Sequence, residues 1–291
     1  MELISDYMRD DDKRHMLNGL TEKVFGFDFE SWVTRGYFEG AYIPYSFVDG
    51  GRIVSNVSAN RMRFMQRGVE RHYIQIGTVM TDPDYRKRGL AAKLMQRVIE
   101  AYEQDCDGIY LFGDLGAAGF YRKMGFDILN QTRYSVKEEF CRSEKGAEAF
   151  RPIRDMDDGV KQKYLAYVRS SALHSSFEQI NRYGLQMFYT AGLDSVLYCA
   201  DLDCFIVLEQ NKTPVLQSVL SRKKVALADV LKRIAFEKPA CRLGFTPLEE
   251  DKGMCTSETY DGGEDYRLFY RGKTLESIER DRLYFPDLSH A

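Results

Sequence analysis

The first half of the chain opens with runs in which apolar and polar residues alternate, the pattern of half-buried β-strands. Such runs occupy residues 41–48, 52–59 and 71–80. Between the first two, the Asp-Gly-Gly sequence at 49–51 predicts a β-hairpin turn. A turn is expected at 66–68 and a short helix at 28–37. The pattern therefore predicts a small antiparallel sheet near the start of the chain.

A helical period follows the third strand, directly after Gly89. Its apolar positions are Leu90, Leu94, Val98 and Ala101. A buried strand at 108–112, a helix at 117–123 and further strand at 126–136 complete the first half. Gly125 is expected to end the second of these helices. The order of strands and helices indicates the α+β class with a mixed sheet.

The second half repeats this plan more loosely. A polar stretch at 138–149 is interpreted as a connection, which predicts one domain at 1–140 and another at 150–291. The second domain is predicted to contain helices at 161–171 and 177–191, a hairpin centred on 201–203, a strand at 215–220, a helical face at 227–234, and strands at 242–245 and 266–270.

Composition narrows the class of protein. The 291 residues suffice for two domains, and the net charge of −3 argues against a general nucleic-acid binder. The N-terminus lacks a signal-type apolar segment, and no run approaches the roughly 18 apolar residues that span a bilayer. Six cysteines without a C-x-x-C pair favour reduced thiols over a zinc site. We expect a cytoplasmic protein with no metal, membrane or nucleic-acid partner, possibly a homo-oligomer.

The start of the helix after residue 89 has the features of an anion site. Arg86, Lys87 and Arg88 precede Gly89, and a helix N-terminus presents unpaired N–H groups with a partial positive charge. A glycine there lets the main chain approach a ligand closely, and Ala91 keeps the next turn small. The stretch predicts a phosphate or pyrophosphate site. Walker A and G-x-G-x-x-G patterns are absent, which argues against a nucleotide kinase or a dinucleotide-binding protein.

The pattern R-x-x-G-x-A at 86–91 resembles the coenzyme A pyrophosphate loop of the GNAT superfamily, the GCN5-related N-acetyltransferases, whose pattern is [QR]-x-x-G-x-[GA]. The sequence AAGFYRKMGF at 117–126 resembles the second landmark of that family, a helix with a tyrosine followed by a glycine and a strand. The resemblance is clear over 42–136 and extends to two-domain bacterial members. It implies the acyl-CoA N-acyltransferase fold in two tandem GNAT-like domains, the first catalytic and the second degenerate.

The resemblance also implies roles for individual residues. The strand residues Val79, Met80 and Thr81 would contact the pantetheine arm, and the Val79 N–H would face the thioester oxygen. The pyrophosphate would be held by the amides of Arg86, Lys87, Arg88, Gly89, Leu90 and Ala91. Asp114 stands where many members have an asparagine that supports the arm, which is a departure from the family. Tyr121 matches the tyrosine that protonates the coenzyme A sulfur; the alternative is a core aromatic residue.

The general base has no clear candidate in the sequence. The long strand offers His72, Tyr73 and Gln75 without a carboxylate, and Glu39 lies in an earlier loop. A water chain is one possibility and the terminal carboxylate another. The tail at 282–291 mixes apolar and aromatic residues that would prefer a groove, and some multi-domain relatives bring their C-terminus into the catalytic site. The alternative is a tail packed on the second domain.

These observations favour an acetyl-CoA-dependent N-acetyltransferase whose acceptor is a small-molecule or peptide amine. An acceptor pocket could involve Trp32, Tyr37, Phe38, Tyr42 and Tyr45. The competing hypothesis is a non-catalytic acyl-CoA-binding sensor or interaction module, which Asp114 and the missing strand carboxylate favour. In the second half, residues 221–226 follow a strand but contain no glycine. That domain is therefore expected to shape the acceptor cleft or an oligomer contact.

Overall fold

The computed structural model describes residues 1–144, 146–236, 239–264 and 266–291. Its helices are α1 (Asp11–Phe25), α2 (Glu30–Thr34), α3 (Leu90–Tyr102), α4 (Ala118–Lys123), α5 (Asp158–Arg169), α6 (Tyr183–Thr190), α7 (Leu227–Leu231) and α8 (Ser277–Arg280). Its strands are β1 (Glu2–Ser5), β2 (Tyr42–Asp49), β3 (Arg52–Gln66), β4 (Val69–Thr81), β5 (Gly108–Asp114), β6 (Asp127–Leu129), β7 (Gln131–Val136), β8 (Arg151–Pro152), β9 (Phe177–Gln179), β10 (Val196–Cys199), β11 (Cys204–Glu209), β12 (Val215–Ser221), β13 (Cys241–Leu243), β14 (Cys255–Tyr260) and β15 (Tyr266–Arg271).

The strands form two mixed sheets with the same plan. The first sheet has the order β1-β2-β3-β4-β5-β15-β6, with β9 beside β3. The second has the order β8-β10-β11-β12-β13-β7-β14. In each sheet only the fourth and fifth strands run parallel, and a helix connects them: α3 in the first sheet and α7 in the second. The predicted α+β class with mixed sheets is confirmed.

Each sheet contains strands from the other half of the chain: β9 and β15 in the first sheet and β7 in the second. β15 lies between β5 and β6 of the first sheet, and its register with β5 runs from Tyr266 opposite Asp114 to Arg271 opposite Ile109. β7 lies between β13 and β14 of the second sheet. The predicted boundary at 140–150 therefore divides the chain but not the sheets, because each half supplies a strand that the other needs.

The tail of the chain packs in an aromatic cluster under the first sheet. The Phe285 ring stacks on Tyr110 with centroids 4.3 Å apart and meets Phe177 at 4.9 Å. All three rings are fully buried. Further along, Leu288 joins the core of the second domain. The tail therefore packs against both sheets, whereas the alternative weighed from the sequence was packing on the second domain alone.

Several predicted elements are confirmed. The hairpin joins β2 and β3 through Gly50 and Gly51, both with positive φ (56° and 75°). The helix predicted after Gly89 is α3, and Gly89 has φ 72°. The hairpin centred on 201–203 joins β10 and β11.

Two regions differ from expectation. α1 was not predicted, although Asp10 caps its start by accepting from the Lys13 N–H at 3.1 Å and Gly26 ends it with φ 77°. The prediction of a helix over 177–191 is wrong at its start, because Phe177–Gln179 is a strand paired with β3. Among the described helices, none is long and apolar enough to cross a membrane.

Candidate active site

The parallel strands β4 and β5 separate in the middle of the first sheet. They are paired at only three positions, from Tyr73 opposite Gly108 to Gln75 opposite Tyr110. Beyond these positions, residues 76–81 and 111–114 have no register partners in each other's strand. Strands that part in this way leave main-chain groups open to a ligand, because those groups no longer bond each other. The result is a gap at the carboxyl ends of both strands.

A β-bulge lies on β4 at the edge of this gap. Thr78 and Val79 have no register partners in β3, and Thr78 has φ 42°, which is uncommon for a residue other than glycine. Buried polar groups hold the bulge: the Asn56 Nδ2 donates to the Thr78 carbonyl oxygen at 3.0 Å. The Thr78 hydroxyl donates to Ser58 Oγ at 2.8 Å and lies 2.8 Å from the Tyr42 hydroxyl. The conformation around Val79 is therefore fixed by the fold.

The loop before α3 carries unpaired main-chain donors. After a 3₁₀ turn at Pro83–Tyr85, Lys87 and Gly89 both adopt positive φ (61° and 72°). Among the described residues, no acceptor bonds the N–H groups of residues 87–91. A Cβ added at Gly89 would meet no atom within 4 Å, so Gly89 is required for its conformation and the space beside it is open. The loop can therefore accept an anion.

Basic side chains of the loop are anchored to its own main chain. The Arg86 Nε donates to the Thr81 carbonyl oxygen at 3.3 Å, and the Arg88 guanidinium donates to the Asp84 carbonyl oxygen at 2.8 Å. The Arg88 guanidinium also lies over the Tyr85 ring at 4.6 Å. Since these contacts engage neutral groups, the positive charges of Arg86 and Arg88 remain available to an anion on the loop.

Tyr121 combines a buried ring with an unbonded hydroxyl. Its ring packs on Phe269 at 4.8 Å, and a Cβ added at Gly113 would lie 2.6 Å from Tyr121 Cε2, so Gly113 provides room for the ring. No described residue forms a hydrogen bond with the hydroxyl, although Tyr121 lines the cavity described next. Burial raises the pKa of Tyr121 to about 12, so the hydroxyl keeps its proton at neutral pH.

A cavity of about 420 Å³ opens from the gap between β4 and β5. Of the residues predicted for the site, Val79, Asp114 and Tyr121 line it. Asp114 also caps a short turn by accepting from the Gly116 N–H. The other predicted residues lie elsewhere: Met80 is buried in a core cluster and the Thr81 hydroxyl bonds Ser55. Residues 86–89 form the exposed loop before α3, and the buried Leu90 and the partly buried Ala91 begin that helix.

Aromatic rings from both halves of the chain line much of the cavity. We call this surface the aromatic wall; it consists of Phe25, Phe27, Phe29, Trp32, Tyr42, Phe188 and Tyr189. Trp32 and Tyr42 were considered for an acceptor pocket, whereas Tyr37, Phe38 and Tyr45 do not line the cavity. The other wall residues were missed. The alternating aromatics at 25–29 were a usable signal; Phe188 on α6 had none, because only the fold brings it to the first domain.

The last two residues of the tail lie in the same cavity. Tyr189 donates its hydroxyl proton to the His290 carbonyl oxygen at 2.6 Å, and the His290 ring stacks on Phe112 at 3.9 Å. Burial lowers the pKa of His290 to about 4, so the imidazole is neutral at pH 7. A Cβ added at Gly77 would lie 2.7 Å from the Ala291 carbonyl oxygen. Only glycine at that position lets the tail approach β4 so closely.

The side chains considered from the sequence in connection with the base lie outside the cavity. His72 is an exposed strand residue with its Nε2 3.0 Å from a Glu70 carboxylate oxygen. Gln75 is buried and accepts from the Tyr110 hydroxyl at 3.4 Å, and Glu39 pairs with Arg169. The described groups that could accept a proton within the cavity are the Asp114 carboxylate, the His290 imidazole and the end of the chain at Ala291.

The fold and the site together define a class. A mixed sheet whose parallel fourth and fifth strands part, with a glycine-led helix after the fourth strand and a tyrosine beside the gap, is the acyl-CoA N-acyltransferase fold. Residues 11–129 match the acetyltransferase (GNAT) domain family. These residues form a GNAT acetyltransferase domain.

Solved structures with the same fold cover nearly the whole chain. A probable N-acyltransferase from Enterococcus faecalis is 16% identical, with a TM-score of 0.55 over 95% of this chain and 74% of that one. A GCN5-related N-acetyltransferase from Kribbella flavida is 16% identical, with a TM-score of 0.53 over 95% of this chain and 73% of that one. Eis1 from Mycobacterium abscessus is 11% identical, with a TM-score of 0.53 over 92% and 73% of the two chains. No curated protein matches the sequence.

Proposed function

We propose that the chain transfers an acetyl group from acetyl-CoA to an amine by direct attack. The observation that carries this proposal is the continuity of β4 with the α3 loop. The cavity contains Val79, and a few residues later the unbonded N–H groups of residues 87–91 stand on an open surface. A ligand with an acyl thioester at one end and a diphosphate at the other fits such an arrangement. The donors at the loop suit the diphosphate because helix N-termini attract anions.

The roles of the chain's own groups follow from their chemistry. The Val79 N–H would donate to the thioester oxygen and stabilise the negative charge that grows there during attack. As the new C–N bond forms and the C–S bond breaks, the thiolate takes the Tyr121 hydroxyl proton, which the raised pKa keeps in place at neutral pH. The proton that the nitrogen releases on becoming an amide then restores the Tyr121 hydroxyl through solvent. The two interpretations of Tyr121 from the sequence, a catalytic tyrosine and a core aromatic residue, are thus compatible, because its ring packs in the core while its hydroxyl stays unbonded.

The proton of the acceptor ammonium needs a base before attack. An amine with a pKa near 10 is mostly protonated at neutral pH, so the site must remove a proton. We propose the His290 imidazole as a relay that passes this proton on to solvent. Its Nε2 is buried without a hydrogen-bond partner among the described residues, and its pKa of about 4 means that the protonated ring releases the proton again instead of holding it. Where the chain ends at Ala291, the terminal carboxylate beside Gly77 is the second candidate.

The proposal is tested by binding and turnover measured separately. Calorimetric titration of acetyl-CoA gives its affinity, and coenzyme A release with a panel of amines gives turnover. We expect binding in the wild type and in Tyr121→Phe, with turnover lost only in the variant. Binding without acetylation of any amine would instead support the acyl-CoA sensor. Residues appended after Ala291 and a His290→Gln variant separate the two base candidates, because only the former displaces a terminal carboxylate.

A further inference from the structure

The aromatic wall has no role in holding the acyl donor described above. The proposed donor contacts are Val79, Tyr121 and the α3 loop, whereas the wall residues lie on other elements, including α6 of the other half. Resting on the proposed function, we propose that the wall binds the acceptor, and that this acceptor is an apolar primary amine bearing an aryl or alkyl group and no anionic group. Its apolar part would contact Phe29, Trp32 and Phe188, with its nitrogen toward Val79.

Charge on the cavity surface supports this acceptor class. Among the described residues that line the cavity there is no lysine and no arginine. The His290 imidazole is neutral at pH 7, and Asp114 carries the negative charge. An acceptor carboxylate or phosphate would therefore lose its hydration without gaining a cation, which is costly. An ammonium group is stabilised in this cavity, since aromatic faces and a carboxylate both attract it.

The polar atoms of the wall are already bonded within the protein. The Trp32 indole N–H donates to the Gly184 carbonyl oxygen at 2.7 Å, and the Tyr42 hydroxyl lies 2.8 Å from Thr78 Oγ1. The Tyr189 hydroxyl donates to the His290 carbonyl oxygen. A sugar-like amine with many hydroxyl groups would therefore leave several of them buried and unpaired, each at a cost in binding. The wall favours an acceptor with few polar groups besides its amine.

Three exposed aromatic rings at the cavity also support an apolar acceptor. Phe25, Tyr189 and Tyr266 are 49%, 46% and 58% exposed and all line the cavity. The remaining strongly exposed aromatic residue of the described chain is Phe140. Exposed aromatic surface that concentrates at one cavity is typical of a ligand site. These rings are not required by the core, since much of their surface is in water.

The first experiment compares three amines by kcat/KM with acetyl-CoA. 2-Phenylethylamine has a ring and a single amine, phenylalanine adds a carboxylate to the same skeleton, and glucosamine presents an amine among hydroxyl groups. We expect 2-phenylethylamine to be favoured about a hundredfold or more over each of the others. Acetylation of glucosamine or phenylalanine with equal or higher kcat/KM would overturn the acceptor class while leaving the proposed acetyl transfer intact.

The second experiment tests the wall itself. Phe188→Ala and Phe25→Ala should each lower kcat/KM for 2-phenylethylamine, Phe188→Ala by about tenfold or more, with the Kd of acetyl-CoA unchanged. Phe25 is half exposed, so its removal leaves the fold intact. Phe140→Ala, an exposed aromatic outside the cavity, is the matched control.

The two experiments distinguish failure of this inference from failure of the proposed function. If both wall variants keep full activity, or if octanoyl-CoA is preferred over acetyl-CoA until Phe188 is removed, the wall does not bind the acceptor and the inference is wrong. If acetyl-CoA binds but none of the amines is acetylated, the proposed function fails and the inference fails with it.

Discussion

In the first sheet, β4 and β5 part after three register pairs and leave an open cavity; in the second, β12 and β13 part after two, and the tail of the chain occupies the gap. The Asp287 N–H donates to the Gly244 carbonyl oxygen at 2.9 Å, just beyond the last register pair. A Cβ added at Gly244 would lie 2.6 Å from an Asp287 carboxylate oxygen. The second gap is therefore filled by the protein itself.

The helices that follow β4 and β12 also differ, and only the first has the features of an anion site at its start. α3 has 13 residues and is preceded by Gly89 with φ 72°, whereas α7 has five and is preceded by Ala226 with φ −68°. Before α7, the Val225 N–H donates to the His174 imidazole at 3.2 Å. The nearby basic residues are also engaged, since Arg222 donates to Ser170 and Lys224 pairs with Glu250.

The same order of strands and helices does not by itself produce an anion site. A strand, a basic turn and a helix occur in both sheets, but an anion site also requires unbonded N–H groups and an open gap. In the second sheet the Val225 N–H is bonded within the protein, and the tail occupies most of the gap, leaving a cavity of about 40 Å³. The second half of the chain contributes to the cavity of the first sheet through α6, which supplies Phe188 and Tyr189, and through the tail, which brings His290 there.

Cutting the chain after residue 140 is expected to have the largest effect. The fragment lacks β15, so β5 and β6 lose the strand that lies between them and expose unpaired edges. We expect an aggregated product without a cooperative unfolding transition, and recovery of soluble protein when residues 141–291 are co-expressed. A soluble fragment that unfolds cooperatively and binds acetyl-CoA would show that the exchange of strands is not required.

Removing the Tyr121 hydroxyl should have the largest effect of any single substitution on turnover. Proton transfer by a positioned group contributes about 10²- to 10⁴-fold to a rate, so Tyr121→Phe should lower kcat by at least the smaller factor. The Kd of acetyl-CoA should not change, because the ring is kept. Tyr270→Phe on β15 outside the cavity is the control and should keep its activity. An active Tyr121→Phe enzyme would contradict the assigned role.

The residues that precede α3 and α7 can be exchanged, glycine for alanine and alanine for glycine. Gly89→Ala introduces a side chain at φ 72°, which costs about 1–2 kcal/mol in the observed conformation and should raise the Kd of acetyl-CoA about tenfold by calorimetry. The reciprocal change, Ala226→Gly before α7, should create no second binding event, because that gap is filled. An unchanged Kd in Gly89→Ala, or a second site in Ala226→Gly, would contradict the comparison.

The glycines that admit the tail form a second matched pair, with the smallest expected effect. Gly77→Ala and Gly244→Ala would each add a Cβ that overlaps the tail, and each should lower the free energy of unfolding by about 1–3 kcal/mol. Only Gly77→Ala should also reduce kcat, by a few-fold, since it alone displaces the tail within the cavity. Denaturant unfolding and coenzyme A release check the two parts. Equal kcat in both variants would show that the tail has no part in catalysis.

Local sequence signals were sufficient for much of the first sheet and for the loop before α3. The hairpin at 49–51, the period after Gly89 and the glycine itself each act within a few residues, so a pattern can reveal them. α1 was missed although its signals were present: Asp10 as its cap, Gly26 at its end, and apolar residues such as Leu17 and Leu20 on one face.

The remaining features depend on contacts between distant segments. β9 reads as helix locally but becomes a strand because β3 offers an edge to pair with. The exchange of β7 and β15 and the arrival of His290 in the cavity depend on contacts over more than a hundred residues, and the second gap is filled through a contact between Gly244 and the distant Asp287. No periodicity within a window could indicate them, and tertiary context overrides local preference in such cases.

The central claim is that the main-chain donors at residues 87–91 hold the diphosphate of a thioester donor whose acyl end lies beside Tyr121. Parallel calorimetric titrations with acetyl-CoA and with S-acetylpantetheine, which has the same thioester without the diphosphate, test it most directly. The account predicts binding of acetyl-CoA and affinity for S-acetylpantetheine weaker by about a hundredfold or more. Equal affinity for the two compounds, or no heat with acetyl-CoA, would contradict it.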